Sequence, residues 1–536
     1  MFEIYAGNIM SLWGWKRNAL AFFSGAILTL ALPPFNFFAV GFVSFPVLLW
    51  LLEGAVPSPN ARGAFRLYPA MIIGWFFGFG YFTLGLWWLA NALLAQGNEF
   101  AWALPLAVFG LPALLAIFYA GAAMIAKSLW GNGIGTAAAL AFGFGIAEWL
   151  RGFILTGFPW NGIAMTAMPT VVMMQGTSIF GITGMNALAV FMFALPATSG
   201  LVKHRSTGVA LGLLLLIANF SFGYWRLSGA EHTENNPNHK IVRLVQPSYK
   251  QSEKWDEAER DAIFSNYIAL SKQLPDAGKN QPDLIVWPET AVPFIFTDRP
   301  QALAAIGDAL SDGQILLAGA VRQEGQRNAG ETVHYYNSML AINDLGEIVD
   351  SADKLHLVPF GEYLPFESFL RSFGLQEVAM PGGFTAGASQ HIFTLPELPA
   401  ILPLICYEVV FPGASTGTVK PIGLVVNITN DAWYGYSPGP FQHFRLAQLR
   451  SIESGIPVIR SANNGISGLI DGYGRVVSAL TLDAVGVIDI PVPDKIAKTA
   501  YARHGQRAIL LVFSLLFAIS SLTKLRVGSR LKKSVI

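Results

Sequence analysis

Three short runs place ionisable or nucleophilic side chains where apolar stretches end: LIVWPE (Leu284 to Glu289), DKLHLVPFGEY (Asp353 to Tyr363) and ILPLICYE (Ile401 to Glu408). The last contains the only cysteine of the chain, Cys406. A thiol with an ordinary pKa of about 8.5 is mostly protonated at neutral pH, so a cysteine that attacks a carbonyl needs a neighbour to take its proton. Glu289 can be that base. Attack leaves negative charge on the former carbonyl oxygen, which a fixed ammonium such as Lys354, or a backbone N–H beside Cys406, stabilises. A second carboxylate, Glu362, can orient Lys354 or the base and keep the charge sum of the cluster near neutral. Taken singly, each residue has a plainer role: Cys406 as a small core side chain, Glu289 as a strand end, Lys354 as a solvated surface charge. The combination carries the chemical reading.

These residues must be positioned by a chain that belongs in a bilayer. Of 536 residues, 53% are hydrophobic and 13% charged, where a soluble domain carries roughly 25% charged residues. Spanning the hydrocarbon takes roughly 20 mostly apolar helical residues, fewer where the bilayer thins. Eight such stretches are expected: Asn18 to Phe35, Phe37 to Leu52, Pro69 to Leu94, Ala101 to Ala126, Ile134 to Leu150, Gly181 to Gly200, Val209 to Trp225 and Ala508 to Leu522. Pro46 interrupts the second, and Glu148 sits in the fifth, where a lipid-facing carboxylate would be costly. With the N-terminus inside, the cytoplasmic segments carry Lys16, Arg17, Arg62, Arg66, Lys127, Lys203, Arg205, Lys524, Arg526, Arg530, Lys532 and Lys533, and the short outer loops only Arg151. Basic residues stay cytoplasmic, so the long polar stretch between the seventh and eighth segments is expected outside. No small-residue cleavage site follows Lys16 and Arg17, so a cleaved signal peptide is not expected.

Between about Glu231 and Lys495 the long apolar runs give way to short ones bounded by Gly, Pro, Asn and Asp. The polar run Glu231 to His239 reads as a linker. Strands are expected at Ile241 to Val245, Leu284 to Val286, Ile315 to Ala318, Ser338 to Ile342, Ala400 to Ile405, Leu424 to Ile428, Val458 to Arg460 and Val487 to Ile490, with helices at Asp256 to Leu274, Gln301 to Ser311 and Phe441 to Ser454. That mix predicts an α/β domain whose sheets are covered by helices, and in open α/β sheets ligand sites cluster at the carboxyl ends of strands. The expected organisation is a seven-helix membrane domain over 1–230, a catalytic domain over 231–495, and an eighth helix with a basic cytoplasmic tail over 496–536. No repeat of 20 to 50 residues is visible, which argues against solenoids and inverted-repeat transporters.

Other chemistries find no support. The net charge is +1 without a dense basic tract, so nucleic acid is not an expected partner. The eight histidines are scattered, with no H-E-x-x-H or C-x-x-C spacing, so no metal is expected. Neither a P-loop nor a dinucleotide fingerprint is convincing, and no cofactor is required. A single cysteine cannot form an intramolecular disulfide.

The order Glu289, Lys354, Cys406 resembles the Glu-Lys-Cys arrangement of the nitrilase superfamily. The strings WPET (Trp287 to Thr290), KLHLVPFGEYLP (Lys354 to Pro365), CYE (Cys406 to Glu408) and NDAWYGYSPGPFQH (Asn430 to His443) are similar, more narrowly, to those of the apolipoprotein N-acyltransferase family of bacterial lipoprotein maturation, over nearly the whole chain. The resemblance implies eight transmembrane helices plus an extracytoplasmic nitrilase-like αββα sandwich. It implies Cys406 as nucleophile, Glu289 as general base, Lys354 as oxyanion stabiliser and Glu362 as supporting carboxylate. Trp255, Tyr407 and Glu408 match positions around the active site and substrate entrance, although Trp255 is equally a membrane-surface anchor and Tyr407 and Glu408 equally strand caps. Asn337, in YYNS, is a candidate to position the catalytic lysine. GFPWN (Gly157 to Asn161) is similar to the family's loop between the fifth and sixth helices; it can present Trp160 to lipid or to the catalytic domain, an interfacial Gly/Pro turn being the simpler reading.

The implied reaction is ping-pong: a phospholipid gives an acyl chain to Cys406, and the α-amino group of a diacylglyceryl-modified apolipoprotein then takes it. The implied setting is the bacterial inner membrane, with a monomeric enzyme, membrane lipids as partners and the catalytic domain periplasmic. Moving a roughly 16-carbon chain into water would cost on the order of 12 kcal/mol at about 0.8 kcal/mol per CH₂, so the thiol must meet its donor at the membrane surface. Loops at Gly382 to Gly387 and Tyr434 to Gly439 are candidates to gate the site against water. Two alternatives use the same sequence differently: a membrane-tethered amidase for small soluble amides, and a transporter or binding protein without catalysis.

Overall fold

In the computed structural model, the structure describes residues 2–95, 100–201, 207–230, 239–254, 257–275, 280–325, 332–372, 377, 382–416 and 421–533. The chain divides into two compact units, one of Met1–Trp88, Ala103–Ala230 and Lys498–Ile536, the other of Leu89–Trp102 and Glu231–Ala497.

The first unit is helical. Five helical stretches among the described residues are long and apolar enough to cross a membrane: Gly63–Leu93, Ala101–Ser128, Thr177–Gly200, Thr207–Ser228 and Gln506–Arg526. Shorter helices occupy the other three expected segments, Gly14–Leu28, Gly41–Glu53 and Ile134–Arg151. Without a hydrophobic force between helices in lipid, close packing depends on small residues. A Cβ on Gly25 would meet the Phe77 carbonyl at 1.9 Å and one on Gly80 the Phe22 carbonyl at 2.0 Å, so helices Gly14–Leu28 and Tyr68–Leu86 touch backbone to backbone there. Pro46 is accommodated inside Gly41–Glu53, where Ser24 and Ser44 exchange side-chain to carbonyl hydrogen bonds of 2.8 and 2.6 Å between neighbouring helices.

Glu148 avoids the cost of facing lipid by turning inward. It is buried, accepts a 2.7 Å charge-assisted bond from Arg151 and a 2.8 Å bond from the Tyr119 hydroxyl. Arg151 also donates to the carbonyls of Phe158 and Trp160. Trp160 is 1% exposed, its ring packed 5.2 Å from that of Trp88, so the side chain is not presented to lipid.

The second unit contains two sheets built from β1 Ile241–Gln246, β2 Leu284–Val286, β3 Ile315–Glu324, β4 His334–Ile342, β5 Ile348–Asp353, β6 Ile401–Ile405, β7 Leu424–Thr429, β8 Val458–Ala462, β9 Ser467–Ile470, β10 Val476–Leu480 and β11 Gly486–Pro491. One sheet runs β11-β1-β2-β3-β4-β5 and the other β10-β9-β8-β7-β6. The neighbours β1-β2-β3 and β6-β7-β8 are parallel. Alternate residues of both sheets, among them Val242, Leu244, Val286, Leu317, Ile405, Val426 and Ile428, share one apolar layer, as the period of two dictates. The opposite face of the first sheet, with Ile285, Trp287, Leu316 and Ala318, is covered by helices Arg260–Ser271 and Pro300–Gly307. Helix Pro438–Ser454, which packs against β8 and β9, starts three residues before the expected Phe441. Ser437 caps the Gly439 N–H at 3.2 Å, and Gly455 ends the helix in the left-handed conformation.

Candidate active site

The polar residues singled out in the sequence converge because the strand ends converge. Glu289 follows β2, Cys406 follows β6, Lys354 follows β5, and Asn337 lies within β4. Cys406 adopts φ +50°, a conformation that costs a residue with a Cβ roughly 1–2 kcal/mol. It stands between the last residue of β6 and a tight 3₁₀ turn, Cys406–Val410. The turn is held by Glu408, whose carboxylate accepts the N–H of Ile405 at 2.7 Å and those of Leu355 and His356 at 2.7 and 3.2 Å. Glu408 thus fastens the cysteine turn to the lysine segment.

Lys354 is 1% exposed and gives its ammonium to Glu362 Oε1 at 2.9 Å and Glu289 Oε1 at 3.2 Å. Asn337 Nδ2 bonds the same two oxygens at 2.9 and 2.8 Å. The second oxygen of Glu289 accepts the Asn430 N–H at 2.9 Å, and that of Glu362 accepts the Val358 N–H at 2.8 Å. Tyr407 shares the cysteine turn, and its ring packs edge-on against Phe411 at 5.0 Å. Trp255 lies outside the described residues.

Electrostatics set the resting protonation. Burial by itself would raise Glu289, but Lys354, the Asn337 amide, the Cys406 thiol and Lys254 together hold its carboxyl below the ordinary range. Burial and the Glu289 charge push the Cys406 thiol well up, against the pull of Lys354. The Lys354 ammonium is held charged by Glu362 and Glu289 in spite of burial, which works the other way. The resting pair is therefore a carboxylate facing a thiol.

Several residues of the site escaped the sequence reading. Lys254 is buried and donates to the Glu289 carbonyl at 3.0 Å; burial lowers it to about 8, so at neutral pH two ammonium groups balance Glu289 and Glu362. Behind Cys406, Arg460 bonds Asp431 Oδ2 at 2.8 Å and His443 Nδ1 at 2.9 Å. Burial and Arg460 keep His443 below its ordinary pKa. His443 Nδ1 also lies 3.0 Å from Asp431 Oδ1, and its Nε2 donates to the Cys406 carbonyl at 3.2 Å. This chain of bonds fixes the backbone of the strained cysteine. The NDAWYGYSPGPFQH string contains Asp431 and His443, but nothing in its spacing announces the contact with Cys406.

A match to the carbon-nitrogen hydrolase family covers residues 241–501, and one to the apolipoprotein N-acyltransferase N-terminal domain covers residues 24–195. An apolipoprotein N-acyltransferase of Brucella suis biovar 1 (strain 1330) is 55% identical over 91% of this chain and 92% of its own length. Another, from Rhizobium meliloti (strain 1021), is 48% identical over 99% of this chain and 100% of its own. The chain belongs to the apolipoprotein N-acyltransferase family. Within this N-acyltransferase the Glu408 bridge gives a direct test. A glutamine at 408 turns an NH₂ toward at least one of the three N–H donors, which costs about 1–3 kcal/mol. Glu408→Gln is expected to lower the melting temperature by several degrees and to slow acyl loading of Cys406 roughly tenfold, read by thermal unfolding and by intact mass.

Proposed function

We propose that this chain is a multi-spanning enzyme of the bacterial inner membrane, with eight transmembrane helices and its catalytic domain on the periplasmic side, acting as a monomer. The proposed domains are 1–230, 231–495 and 496–536. It transfers an acyl chain from a phospholipid to the α-amino group of a diacylglyceryl-modified apolipoprotein. The observation that carries this reading is the convergence of Glu289 and Lys354, joined at 3.2 Å, beside the Cys406 thiol, which helps to hold the Glu289 carboxyl down.

Glu289 takes the thiol proton as sulfur attacks the ester carbonyl. Negative charge develops on the carbonyl oxygen beside Lys354, and the C–O bond then breaks, the lysophospholipid oxygen leaving with the proton from Glu289. In the second half the amine attacks the thioester, Glu289 takes a proton from nitrogen, and the thiolate leaves and is reprotonated. Glu362 and Asn337 hold Lys354 and Glu289 in register, Glu408 holds the turn, and Tyr407 and Trp255 belong to the surroundings through which substrate enters. No step calls for a metal or a cofactor. The 382–387 and 434–439 loops are the proposed gates.

The test is intact-mass analysis of protein incubated with phospholipid. One added acyl group, removable with hydroxylamine, is expected on Cys406, the only thiol available. Turnover of small soluble amides without acyl loading from lipid would favour an amidase instead. The protonation states also predict a pH profile. Glu289 stays ionised below its ordinary pKa and Cys406 stays protonated above its own, so the competent pair is populated throughout the range between. Initial rates of acyl loading are expected to be flat from about pH 5 to 7 and to fall only in stronger acid. A rate climbing through that range would contradict the assignment.

A further inference from the structure

Cys406 has a polar neighbour that the steps above leave idle. Thr429, the last residue of β7, is fully buried. Its hydroxyl oxygen lies 3.3 Å from Cys406 Sγ and 3.0 Å from Asp431 Oδ1. A hydroxyl has one proton and can give it to only one of them. Asp431 is ionised at any working pH, held down to about 2 by Arg460 and His443 against the effect of burial. A carboxylate outbids a neutral sulfur for a donor, so in the resting enzyme the Thr429 proton lies on Asp431.

Once the thiol is deprotonated the competition changes. The sulfur becomes an anion within reach of the same hydroxyl, while Asp431 keeps its bonds to Arg460 at 2.8 and 3.1 Å. A turn about the Cβ–Oγ1 bond delivers the proton to sulfur with no movement of heavy atoms. We propose that Thr429 is a further catalytic residue of the acyl transfer, a rotating donor that stabilises the Cys406 thiolate as it forms and again as it leaves the thioester. Asp431 is then the positioning residue on which the donor rests between the two half-reactions. Lys354 gives two of its three donors to Glu289 and Glu362, and the carbonyl oxygen calls on the third, so the sulfur has need of a donor of its own.

This inference rests on Cys406 as the nucleophile, and the experiment separates the two. Acyl loading from phospholipid and alkylation by iodoacetamide are followed by intact mass in wild type, Thr429→Val and Thr429→Ser, with alkylation rates taken across pH. The groups facing the sulfur are Glu289, Lys354, Asp431 and Tyr434, with His443 and Arg460 behind Asp431; all are unchanged in the variants. Thr429→Val is expected to load on the order of tenfold to a hundredfold more slowly, the loss of one hydrogen bond to a charged group. Its alkylation profile should move to higher pH, and Thr429→Ser should restore both. Thr429→Ala serves if the valine variant fails to fold. Loading by Thr429→Val or Thr429→Ala at the wild-type rate, or a serine variant as slow as either, would overturn the role of Thr429. A wild type that never loads Cys406 would instead remove the nucleophile, and this inference with it.

Discussion

Glu289→Gln is expected to slow acyl loading of Cys406 by about 10²- to 10⁴-fold, the usual contribution of a general base. The substitution removes the carboxylate beside the thiol, and it does more than remove charge. Glu289 is acceptor on every side: Lys354 and Asn337 donate to Oε1, and the Asn430 N–H donates to Oε2. A glutamine NH₂ must face one set of these donors whichever way the amide is turned. The cost is about 1–3 kcal/mol of stability, so the rate should be compared with the melting temperature of each variant. Glu289→Asp keeps the charge but draws it back by one methylene; it is expected to melt close to wild type and still to load slowly, because a base acts only within hydrogen-bond reach of its proton. Loading by Glu289→Gln at the wild-type rate in single-turnover mass measurements would remove Glu289 from the chemistry.

What could be read from the sequence divides along a physical line. Glu289 and Cys406 were legible because each ends a short apolar run that had to be a buried strand, and Lys354 because its run DKLHLVPFGEY falls between them in the order of a Glu-Lys-Cys set. Thr429, Asp431, His443 and Arg460 were not. They come from the end of β7, a turn, a helix and β8, where each fits an ordinary local pattern, and only the sheet register brings them behind one sulfur. Lys254 was hidden in the polar run QSEK, which reads as solvated until its ammonium is found on the Glu289 carbonyl. The strands missed were of one kind. β5 reads IVDSAD and forms a sheet edge, β10 is the partly exposed edge of the other sheet, and β9 beside it is buried but only four residues long and opens with Ser-Gly; short or half-exposed strands lack the apolar signal that marks central ones. Helix boundaries failed where caps decided them, as at Ser437, whose hydroxyl starts a helix ahead of its apolar pattern.

Removing Lys354 should change the character of the site as well as its rate. Glu289 and Glu362 share the same ammonium and the same Asn337 amide, all four groups being buried. In Lys354→Met two carboxylates face each other without that cation, and like charges at such a distance do not both stay ionised; one takes up a proton. Breaking a buried ion pair from one side costs about 3–5 kcal/mol, so a clear drop in melting temperature is expected. Loss of the proposed oxyanion stabiliser is expected to cost a further 10²–10³-fold or so in rate. The pH profile distinguishes this account from simple damage. A carboxylate whose pKa has been raised becomes a base only above the new value, so residual loading by Lys354→Met should climb with pH where the wild type is flat. Lys354→Arg keeps the charge but puts a planar, five-donor fork into a socket cut for a single ammonium; it is expected to melt above the methionine variant, to keep the flat profile, and still to load slowly. A methionine variant with the wild-type profile would mean that Lys354 does not govern the protonation of Glu289, and the electrostatic argument for the whole site would fail with it.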